Sequence, residues 1–252
     1  MLRALVPGRL KTQYRRLQRR FEQSRNRGRS AEDVFTVIYA NNGWGGRPGE
    51  FCSGTGSLDP SITDPYVAAV TSLAHSERFS GRVFVDLGCG DFAIGRRLLP
   101  LASGYVGVDV VRPLIEHNQA RFGSDTTSFV HLDIAVDELP AGDVCFVRQV
   151  FQHLSNDQIR SVLVKLERYS WVVITEHYPT DNPSIIRNKD KVHGGDVRVL
   201  DNSGVWLCDP PFSLPREAVT EVLEVPGSPV GPHYDRGVIR TYLYRPTAGS
   251  RR

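Results

Sequence analysis

Residues 83–92 have the sequence VFVDLGCGDF. The apolar run Val83-Phe84-Val85 predicts a short buried strand, and Gly88 and Gly90 predict a tight turn after it. Glycine at these two positions allows positive φ values and lets the backbone come close to a ligand. The residues after the turn predict a helix, whose N-terminus offers N–H groups and the positive end of a dipole. The stretch therefore predicts a cofactor-binding unit of strand, turn and helix.

The alternation of strand and helix continues along the chain. Apolar runs predict strands over 83–85, 105–108, 129–132, 143–147 and 171–175, and helical spacing predicts helices over 64–73, 92–101, 111–122 and 155–169. Thr63 or Asp64 is the expected N-cap of the first helix, and Ser155 with Gln158 forms a capping-box pattern in the last. Residues 41–57 are glycine-rich and predict a loop, while 219–225 and 238–244 predict two final strands. The pattern predicts an α/β fold with a Rossmann-like, doubly wound, mostly parallel sheet.

Asp109 stands at the end of the second predicted strand, 19 residues after Gly90. In Rossmann-type sites an acid at this place accepts hydrogen bonds from ribose hydroxyls. A dinucleotide fingerprint would have a third glycine where this chain has Ala93, and Asp91 would lie unfavourably against a pyrophosphate. The pattern thus disfavours NAD and favours a cofactor with one ribose and a positively charged centre.

From Val83 to Thr175, the order and spacing of these segments resemble class I S-adenosylmethionine-dependent methyltransferases. The resemblance implies a seven-stranded sheet with an antiparallel last strand, and the Asp-x-Gly-x-Gly turn would hold the methionine end of the cofactor. Asp109 would bind the ribose and Asp133 the adenine amino group. Family sequences often have a third glycine where this chain has Phe92. The cofactor-binding residues implied, with the N-terminal segment that closes over the cofactor in such enzymes, are Asp86, Gly88, Gly90, Asp109, Asp133, Arg148, Gln149, Tyr39, Trp44 and Ser53.

A narrower resemblance lies outside this core. Its segments are YANNGW (39–44), SGTGS (53–57), HLSN (153–156), RN-x-D (187–190) and PFSLP (211–215). Together they resemble small bacterial sugar O-methyltransferases, such as the mycobacterial methylmannose polysaccharide 1-O-methyltransferases. This resemblance implies methyl transfer to a sugar hydroxyl. The SGTGS run either binds the methionine carboxylate through its N–H groups or is a plain glycine-rich connection.

Methyl transfer to a hydroxyl needs a group that takes up the hydroxyl proton. Ligands in open α/β sheets lie beyond the carboxyl ends of the strands, and His153, Glu176 and His177 follow the fourth and fifth strands. His153 is a candidate general base because histidine titrates near neutral pH; the alternative is a histidine that bonds a backbone group before a helix. Glu176 and His177 are candidates for a second base or a metal pair, and a strand-end salt bridge is the favoured alternative.

Some sugar methyltransferases use a divalent cation, and Mg²⁺ prefers oxygen ligands. Glu176, Asp181 and Asp143 are candidates, but no close carboxylate pair in the sequence requires an ion. Mg²⁺ is therefore possible as a second cofactor, with its ligands unassigned.

Residues 178–215 are too many for a plain connection between strands and predict a lid or substrate loop. Its dense polar side chains suit a polyhydroxyl acceptor, and a solvated surface loop is the alternative. The candidates for substrate binding are Tyr178, Arg187, Asn188, Asp190 and Arg198.

The net charge of +3 conceals a division of the chain. Residues 1–29 hold ten basic residues and one acidic residue, a net charge of +9, and the rest carries −6. A negatively charged body disfavours nucleic acid as a partner. The basic arm, residues 1–30, contains an apolar helical stripe that predicts docking, for example in a homodimer, and consists of Leu10, Tyr14, Leu17 and Phe21. Residues 31–246 form the predicted methyltransferase domain, and 247–252 a tail.

Composition and sequence patterns limit the cell compartments in which the protein is expected. No apolar run reaches the roughly 18 residues of a membrane span, and the N-terminus lacks the apolar segment of a secretion signal. Organellar import is disfavoured because the first half of the arm lacks the usual serines. The four cysteines form no zinc pattern and suit a reducing compartment, so the expected location is the cytoplasm.

These observations predict an S-adenosylmethionine-dependent O-methyltransferase. Its expected acceptor is a sugar, an oligosaccharide or another small polyhydroxyl compound, with His153 as the candidate base. The alternatives are an RNA or protein methyltransferase that uses the basic arm and a non-catalytic scaffold that binds the cofactor.

Overall fold

The computed structural model describes residues 18–227 and 236–246. The helices are α1 (18–26), α2 (Ala31–Ala40), α3 (Thr55–Leu58), α4 (Pro60–Ser76), α5 (Gly95–Leu98), α6 (Arg112–Phe122) and α7 (Asn156–Leu166). The strands are β1 (Arg82–Leu87), β2 (Ala102–Asp109), β3 (Thr127–His131), β4 (Val144–Arg148), β5 (Trp171–Tyr178), β6 (Val219–Pro226) and β7 (Val238–Tyr244). Single 3-10 turns cover Leu99–Leu101, Phe151–His153, Arg198–Asp201 and Arg216–Ala218.

The described strands form one seven-stranded sheet in the order β3-β2-β1-β4-β5-β7-β6. Strands β1 to β5 pair in parallel, whereas β7 runs antiparallel to both β5 and β6. The register places Asp109 opposite His131 and Arg148 opposite Thr175, so the carboxyl ends of β2 to β5 meet at one edge. The predicted Rossmann-like sheet with an antiparallel last strand is confirmed.

Helices cover both faces of the sheet because successive strand side chains point in opposite directions. Phe84 of β1 joins a core with Tyr66 and Val70 of α4. The next residue, Val85, joins a second core that contains Ile159 of α7. Both cores consist of buried apolar side chains, and neighbouring strands contribute to each, which makes the carboxyl edge a rigid support for a site.

Three predicted boundaries are wrong for local reasons. The helix expected over 92–101 is only α5 followed by a 3-10 turn, because Phe92 has a φ of +62° and Pro100 lacks the N–H that a continuing helix requires. Helix α4 begins before 64–73, with Asp59 as its N-cap, since the Asp59 carboxylate accepts the N–H of Ser61 at 2.9 Å. The predicted loop 41–57 ends in the short helix α3.

The remaining comparisons concern two helix caps and the N-terminal arm. Helix α2 was not predicted, although Ser30 caps it by accepting the N–H of Asp33 at 3.0 Å. The capping box of Ser155 and Gln158 is confirmed in α7. Of the apolar stripe in the arm, Leu10, Tyr14 and Leu17 lie outside the described residues, and Phe21 is 71% exposed. The homodimer stays a prediction.

No helix within 18–227 and 236–246 is both long and apolar enough to cross a lipid bilayer.

Candidate cofactor-binding and active site

A cavity of about 240 Å³ opens at the carboxyl edge of the sheet. Its wall is built by residues that end or follow β1 to β5, together with α2 and the loop after it. Ligands of open α/β sheets lie at this edge. The predicted site residues that line it are Tyr39, Trp44, Ser53, Asp86, Gly88, Gly90, Asp109, Asp133, Arg148, Gln149, His153 and His177.

The glycine turn after β1 is closely packed. Gly88 and Gly90 have φ values of +77° and +54°, which L side chains rarely adopt. A Cβ atom on Gly88 would lie 2.4 Å from Cγ2 of Val150, and a Cβ atom on Gly90 would lie 2.2 Å from Oγ of Ser53. The turn therefore needs glycine at both positions, for conformation and for space.

Ser53 ties the loop after α2 to this turn. Its Oγ accepts the N–H of Asp91 at 2.8 Å, and its own N–H donates to the Asp91 carboxylate at 3.0 Å. The hydroxyl of Tyr39 lies 3.2 Å from the same Oγ. Asp91 also accepts the N–H of Ala93 at 3.1 Å, so this acid holds the wall of the cavity together.

Asp86 and Asp109 are buried carboxylates at the ends of β1 and β2. The Tyr105 hydroxyl donates to Asp86 at 2.5 Å, and the N–H groups of Gly90 and Val111 donate to Asp109 at 3.2 and 3.1 Å. Burial raises the pKa of each carboxyl to about 6, and the hydrogen bonds partly oppose this rise. Both groups are mainly ionised at pH 7, so the cavity favours a cationic ligand.

Asp133 lies after β3, at the end of the cavity that is farthest from β5. Its Oδ1 accepts the N–H of Ala135 at 2.8 Å. Ile134 and, from α2, Ala31 and Phe35 line the same cavity. Apolar walls with one carboxylate suit a flat ring that carries an amino group.

Arg148 ends β4 and brings a half-buried guanidinium to the cavity. Its Nη2 donates to the carbonyl of Gly56 at 2.6 Å, and its guanidinium carbon lies 4.8 Å from the ring centroid of Tyr66. Its Nε is buried and has no partner among the described residues. Arg148 can therefore still bind an anion. The next residue, Gln149, has a φ of +56°, and its N–H donates to the carbonyl of Thr175 at 2.6 Å.

Glu176 does not line the cavity, and its position differs from that of a base or metal ligand. Its side chain is fully buried and accepts the N–H groups of Phe151 and Gln152 at 2.7 and 3.0 Å. Burial raises its pKa to about 8. Its neighbour His177 does line the cavity, and the His177 Nε2 lies 2.6 Å from the carbonyl oxygen of Arg236. The two side chains point to opposite faces of the sheet, as successive residues of a strand do.

His153 lies in the 3-10 turn after β4, beside the rings of Trp44 and Phe35. Its Nδ1 is 3.1 Å from the carbonyl oxygen of Gly194. A carbonyl oxygen only accepts, so the neutral imidazole carries its proton on Nδ1 and keeps a lone pair on Nε2, 3.4 Å from the Gln152 amide nitrogen. Burial lowers the pKa of His153 to about 4, and the ring is neutral at pH 7. The residue thus bonds a backbone group and also faces the cavity.

The five insertion residues predicted to bind substrate do not line the cavity. Their polar atoms bind other parts of the insertion or its neighbours, where most of them satisfy backbone groups of a long loop that has little regular secondary structure. Tyr178 donates to Val205 O at 2.6 Å, Arg187 pairs with Asp209, Asn188 donates to Trp206 O and Pro210 O at 3.0 and 2.9 Å, Asp190 accepts the N–H of Asn156 at 2.8 Å, and Arg198 donates to Leu154 O at 2.7 Å. The insertion reaches the cavity instead through Gly195 and Val197.

Asp143 and Glu176, two of the three carboxylates considered for Mg²⁺, lie far apart, and the third, Asp181, is exposed and does not line the cavity. Asp143 precedes β4 and accepts the N–H of Val83, whereas Glu176 is near the opposite end of β5. Since Val144 pairs with Trp171, Asp143 is level with Ser170, and about six residues of strand, or roughly 20 Å, separate the two acids. Within the described part of the chain, no group of three or more His, Cys, Asp and Glu side chains could hold a metal ion.

Sequence reasoning missed several residues of this site. Phe35 and Gln152 line the cavity, and Lys191 and Asp196 form a buried ion pair behind His153. A helical pattern over 31–40 could have revealed Phe35. Nothing local in the sequence marks the ion pair, because it depends on how the insertion folds back.

Comparison with solved structures gives methyltransferases of low sequence identity. The 1,6-didemethyltoxoflavin-N1-methyltransferase of Burkholderia thailandensis, with substrate and S-adenosylhomocysteine bound, gives a TM-score of 0.51 at 14% identity and covers 84% of this chain and 86% of its own. The N-methyltransferase NodS of Bradyrhizobium japonicum, with S-adenosylhomocysteine bound, gives 0.49 at 17% identity over 75% of this chain and 89% of its own. Comparisons with protein-family models and with curated protein sequences give no match. The chain has the fold of class I S-adenosylmethionine-dependent methyltransferases.

Proposed function

We propose that this chain transfers a methyl group from S-adenosylmethionine to a hydroxyl of a sugar or another small polyhydroxyl acceptor, with His153 taking up the hydroxyl proton. The observation that carries the proposal is a neutral imidazole on the wall of a cavity that also holds the buried acids Asp86 and Asp109. This combination offers a place for a cationic cofactor and, beside it, a proton acceptor.

The residues of the cavity fit S-adenosylmethionine. The ionised Asp86 and Asp109 favour a sulfonium cation, and Asp109 would accept ribose hydroxyls. The buried Arg148 Nε, which lacks a partner in the described chain, suits the methionine carboxylate. Asp133 would accept the adenine amino group. When bound, the cofactor supplies an electrophilic methyl group on a positively charged sulfur.

The low pKa of His153 suits a late proton transfer. At pH 7 the ring is neutral, so the Nε2 lone pair is available without prior loss of a proton. Burial opposes the imidazolium that results, which makes His153 a weak base toward an unreacted alcohol. Once the new C–O bond begins to form, however, the hydroxyl becomes a strong acid, and even a weakly basic imidazole can take up its proton.

A polyhydroxyl acceptor fits the remaining wall of the cavity. Amide groups of Gln149 and Gln152 and the hydroxyls of Thr55 and Ser57 can donate and accept hydrogen bonds. The ring of Trp44 provides an apolar surface next to His153, with 5.3 Å between the ring centroids. A few polar groups on a mainly apolar wall are typical of small-molecule sites.

The decisive experiment measures the release of S-adenosylhomocysteine with a panel of mono- and oligosaccharides, phenols, RNA and protein. We expect turnover with a hydroxylated small molecule. His153→Ala should lower kcat at least about a hundredfold and change the affinity for S-adenosylhomocysteine by less than about threefold.

The matched control is His75→Ala, which removes a histidine from the exposed surface of α4. It should keep the wild-type rate. Turnover only with RNA or protein would favour the alternative methyltransferases, and cofactor binding without turnover on any acceptor would favour a scaffold. Wild-type turnover of His153→Ala would show that His153 is not the proton acceptor.

A further inference from the structure

Helix α1 contacts the insertion through one polar face. Arg19, Gln23 and Asn26 are spaced by four and three residues, which places them on one side of a helix. Arg19 lies 3.4 Å from the Asp201 carboxylate, Gln23 donates to Asp196 at 3.0 Å, and Asn26 donates to the carbonyl of His193 at 3.2 Å. The basic helix α1 thus contacts the part of the insertion that is hydrogen-bonded to His153.

A buried ion pair lies under this contact. The Lys191 Nζ is 2.5 Å from Oδ1 of Asp196, and the two side chains are only 4% and 12% exposed. Asp196 also receives the hydrogen bond from Gln23, and the Lys191 Nζ lies 3.4 Å from the carbonyl of Gln152. The pair closes the loop 192–195 at its base and connects it to α1 on one side and to the turn after β4 on the other.

Gly194 of this loop forms two hydrogen bonds with His153, one as donor and one as acceptor. The Gly194 N–H donates to the His153 carbonyl at 2.9 Å, and the Gly194 carbonyl lies 3.1 Å from the His153 Nδ1. The first bond fixes the position of the backbone, and the second selects the tautomer. A movement of the loop that breaks the second bond would remove this preference for the Nδ1 tautomer.

We propose that Lys191, Asp196 and Gln23 are positioning residues, which hold the Gly194 carbonyl where it keeps the His153 proton on Nδ1 and leaves Nε2 facing the cavity. This inference rests on the proposed role of His153. Buried ion pairs add little net stability, because desolvation of the two charges offsets their attraction. The place of this pair at the base of the loop gives it a geometric role instead.

The test is ¹⁵N NMR of the imidazole groups in the full chain, with the His153 signals assigned by their loss in His153→Asn. In the wild type at pH 7, Nδ1 should have the shift of a protonated nitrogen and Nε2 that of an unprotonated one. The double variant Lys191→Met with Asp196→Leu removes both charges together and leaves no unpaired one. In this variant the two shifts should move toward each other, which indicates mixed tautomers.

Gln23→Leu provides a second variant that does not touch the buried pair and keeps the test valid if the double variant fails to fold. It should shift the tautomer signals in the same direction and lower kcat about threefold, against at least about tenfold for the double variant. KM and cofactor affinity should change less than twofold. The matched control is Arg25→Gln, on the exposed side of α1, which should resemble the wild type in every measurement.

Unchanged His153 shifts in both folded variants would overturn the inference, as would unchanged shifts in Gln23→Leu alone if the double variant unfolds. The NMR measurement needs no turnover, so the two proposals can fail separately. If the shifts move but no acceptor is methylated, the proposed function fails and the positioning role stands. If the wild type turns over and the shifts do not move, only the positioning role fails.

Discussion

A carboxyl oxygen of Glu176, on β5, accepts the backbone N–H of Phe151, after β4, at 2.7 Å. It also accepts the next N–H, of Gln152, at 3.0 Å. One fully buried side chain therefore fixes the turn that carries His153, from the neighbouring strand. The acid predicted as a base or metal ligand lies behind the cavity wall, where it supports the backbone.

Glu176 should make the stability of the protein depend on pH. Its pKa is about 8 in the folded chain and near 4.5 when unfolded. Between these values the folded state binds more protons, so this contribution to stability is full below pH 4.5 and is lost as the pH rises toward 8. Glu176→Gln cannot titrate, so from pH 5 to pH 8 its free energy of unfolding should gain at least about 1 kcal/mol relative to the wild type. Urea unfolding at the two pH values measures this change.

The control for this prediction is Glu138→Gln, which makes the same substitution at an exposed acid; the gain of Glu176→Gln between pH 5 and pH 8 should exceed that of this control. A constant difference for Glu176→Gln would mean that the carboxyl is ionised throughout. The variant should also lower kcat, since a glutamine amide can accept only one of the two N–H groups and places its NH₂ against the other.

Two glycines with positive φ allow a test that separates the cost of backbone strain from the cost of steric overlap. Gly81, like Gly88, has a positive φ, +75°, but a Cβ atom there would meet nothing within 4 Å. Gly81→Ala should therefore cost only the conformational term, about 1 kcal/mol, and leave cofactor affinity unchanged. Gly88→Ala must also displace Val150, and we expect S-adenosylhomocysteine binding to weaken at least about tenfold. Calorimetry measures the affinity and thermal unfolding the stability; equal affinities in both variants would remove Gly88 from the proposed cofactor site.

The parts of this fold that the sequence predicts are the local ones. Five apolar runs gave five parallel strands, and Ser155 with Gln158 gave the start of α7. Helix α5 was overestimated because the positive φ of Phe92 has no local signal. Partnerships across the fold were not predictable either: Gln23 and Asp196 are 173 positions apart, and Glu176 meets Phe151 only because β4 and β5 are neighbours.

Cofactor affinity should fall in mild acid. Asp86 and Asp109 have pKa values of about 6 in the empty cavity, mainly because they are buried. A sulfonium cation favours their ionised forms, so S-adenosylmethionine should bind with constant affinity from pH 7 to 8. Near pH 5 its affinity should be about tenfold lower for each carboxylate that must be ionised. Isothermal titration at several pH values tests this.

Two comparisons make this pH dependence specific. S-adenosylhomocysteine has an uncharged sulfur and should lose less affinity in acid than S-adenosylmethionine. Asp109→Asn should bind both ligands more weakly at pH 7 and should show a shallower pH dependence. Identical profiles for both ligands would mean that the carboxylates do not act on the cofactor charge.

Turnover should not depend on a divalent cation. Asp143 and Glu176 lie at opposite ends of their strands, and both carboxylates accept backbone N–H groups. We expect the rate of S-adenosylhomocysteine release to be unchanged by EDTA and by added Mg²⁺. A rate that EDTA abolishes and Mg²⁺ restores would contradict this prediction.

Two truncations separate the charge of the basic arm from the contacts of α1. Removal of residues 1–17 keeps Arg19, Gln23 and Asn26, whereas removal of 1–29 takes away all three contacts with the insertion. If the arm serves the site through these contacts, the shorter truncation should keep the wild-type kcat and the longer one should lower it at least about fivefold. Neither should change how KM depends on salt, because a small-molecule acceptor releases no counterions. An RNA enzyme would instead lose affinity in both truncations, most strongly at low salt, since five of the ten basic residues of the arm are lost with residues 1–17 and the other five with residues 18–29.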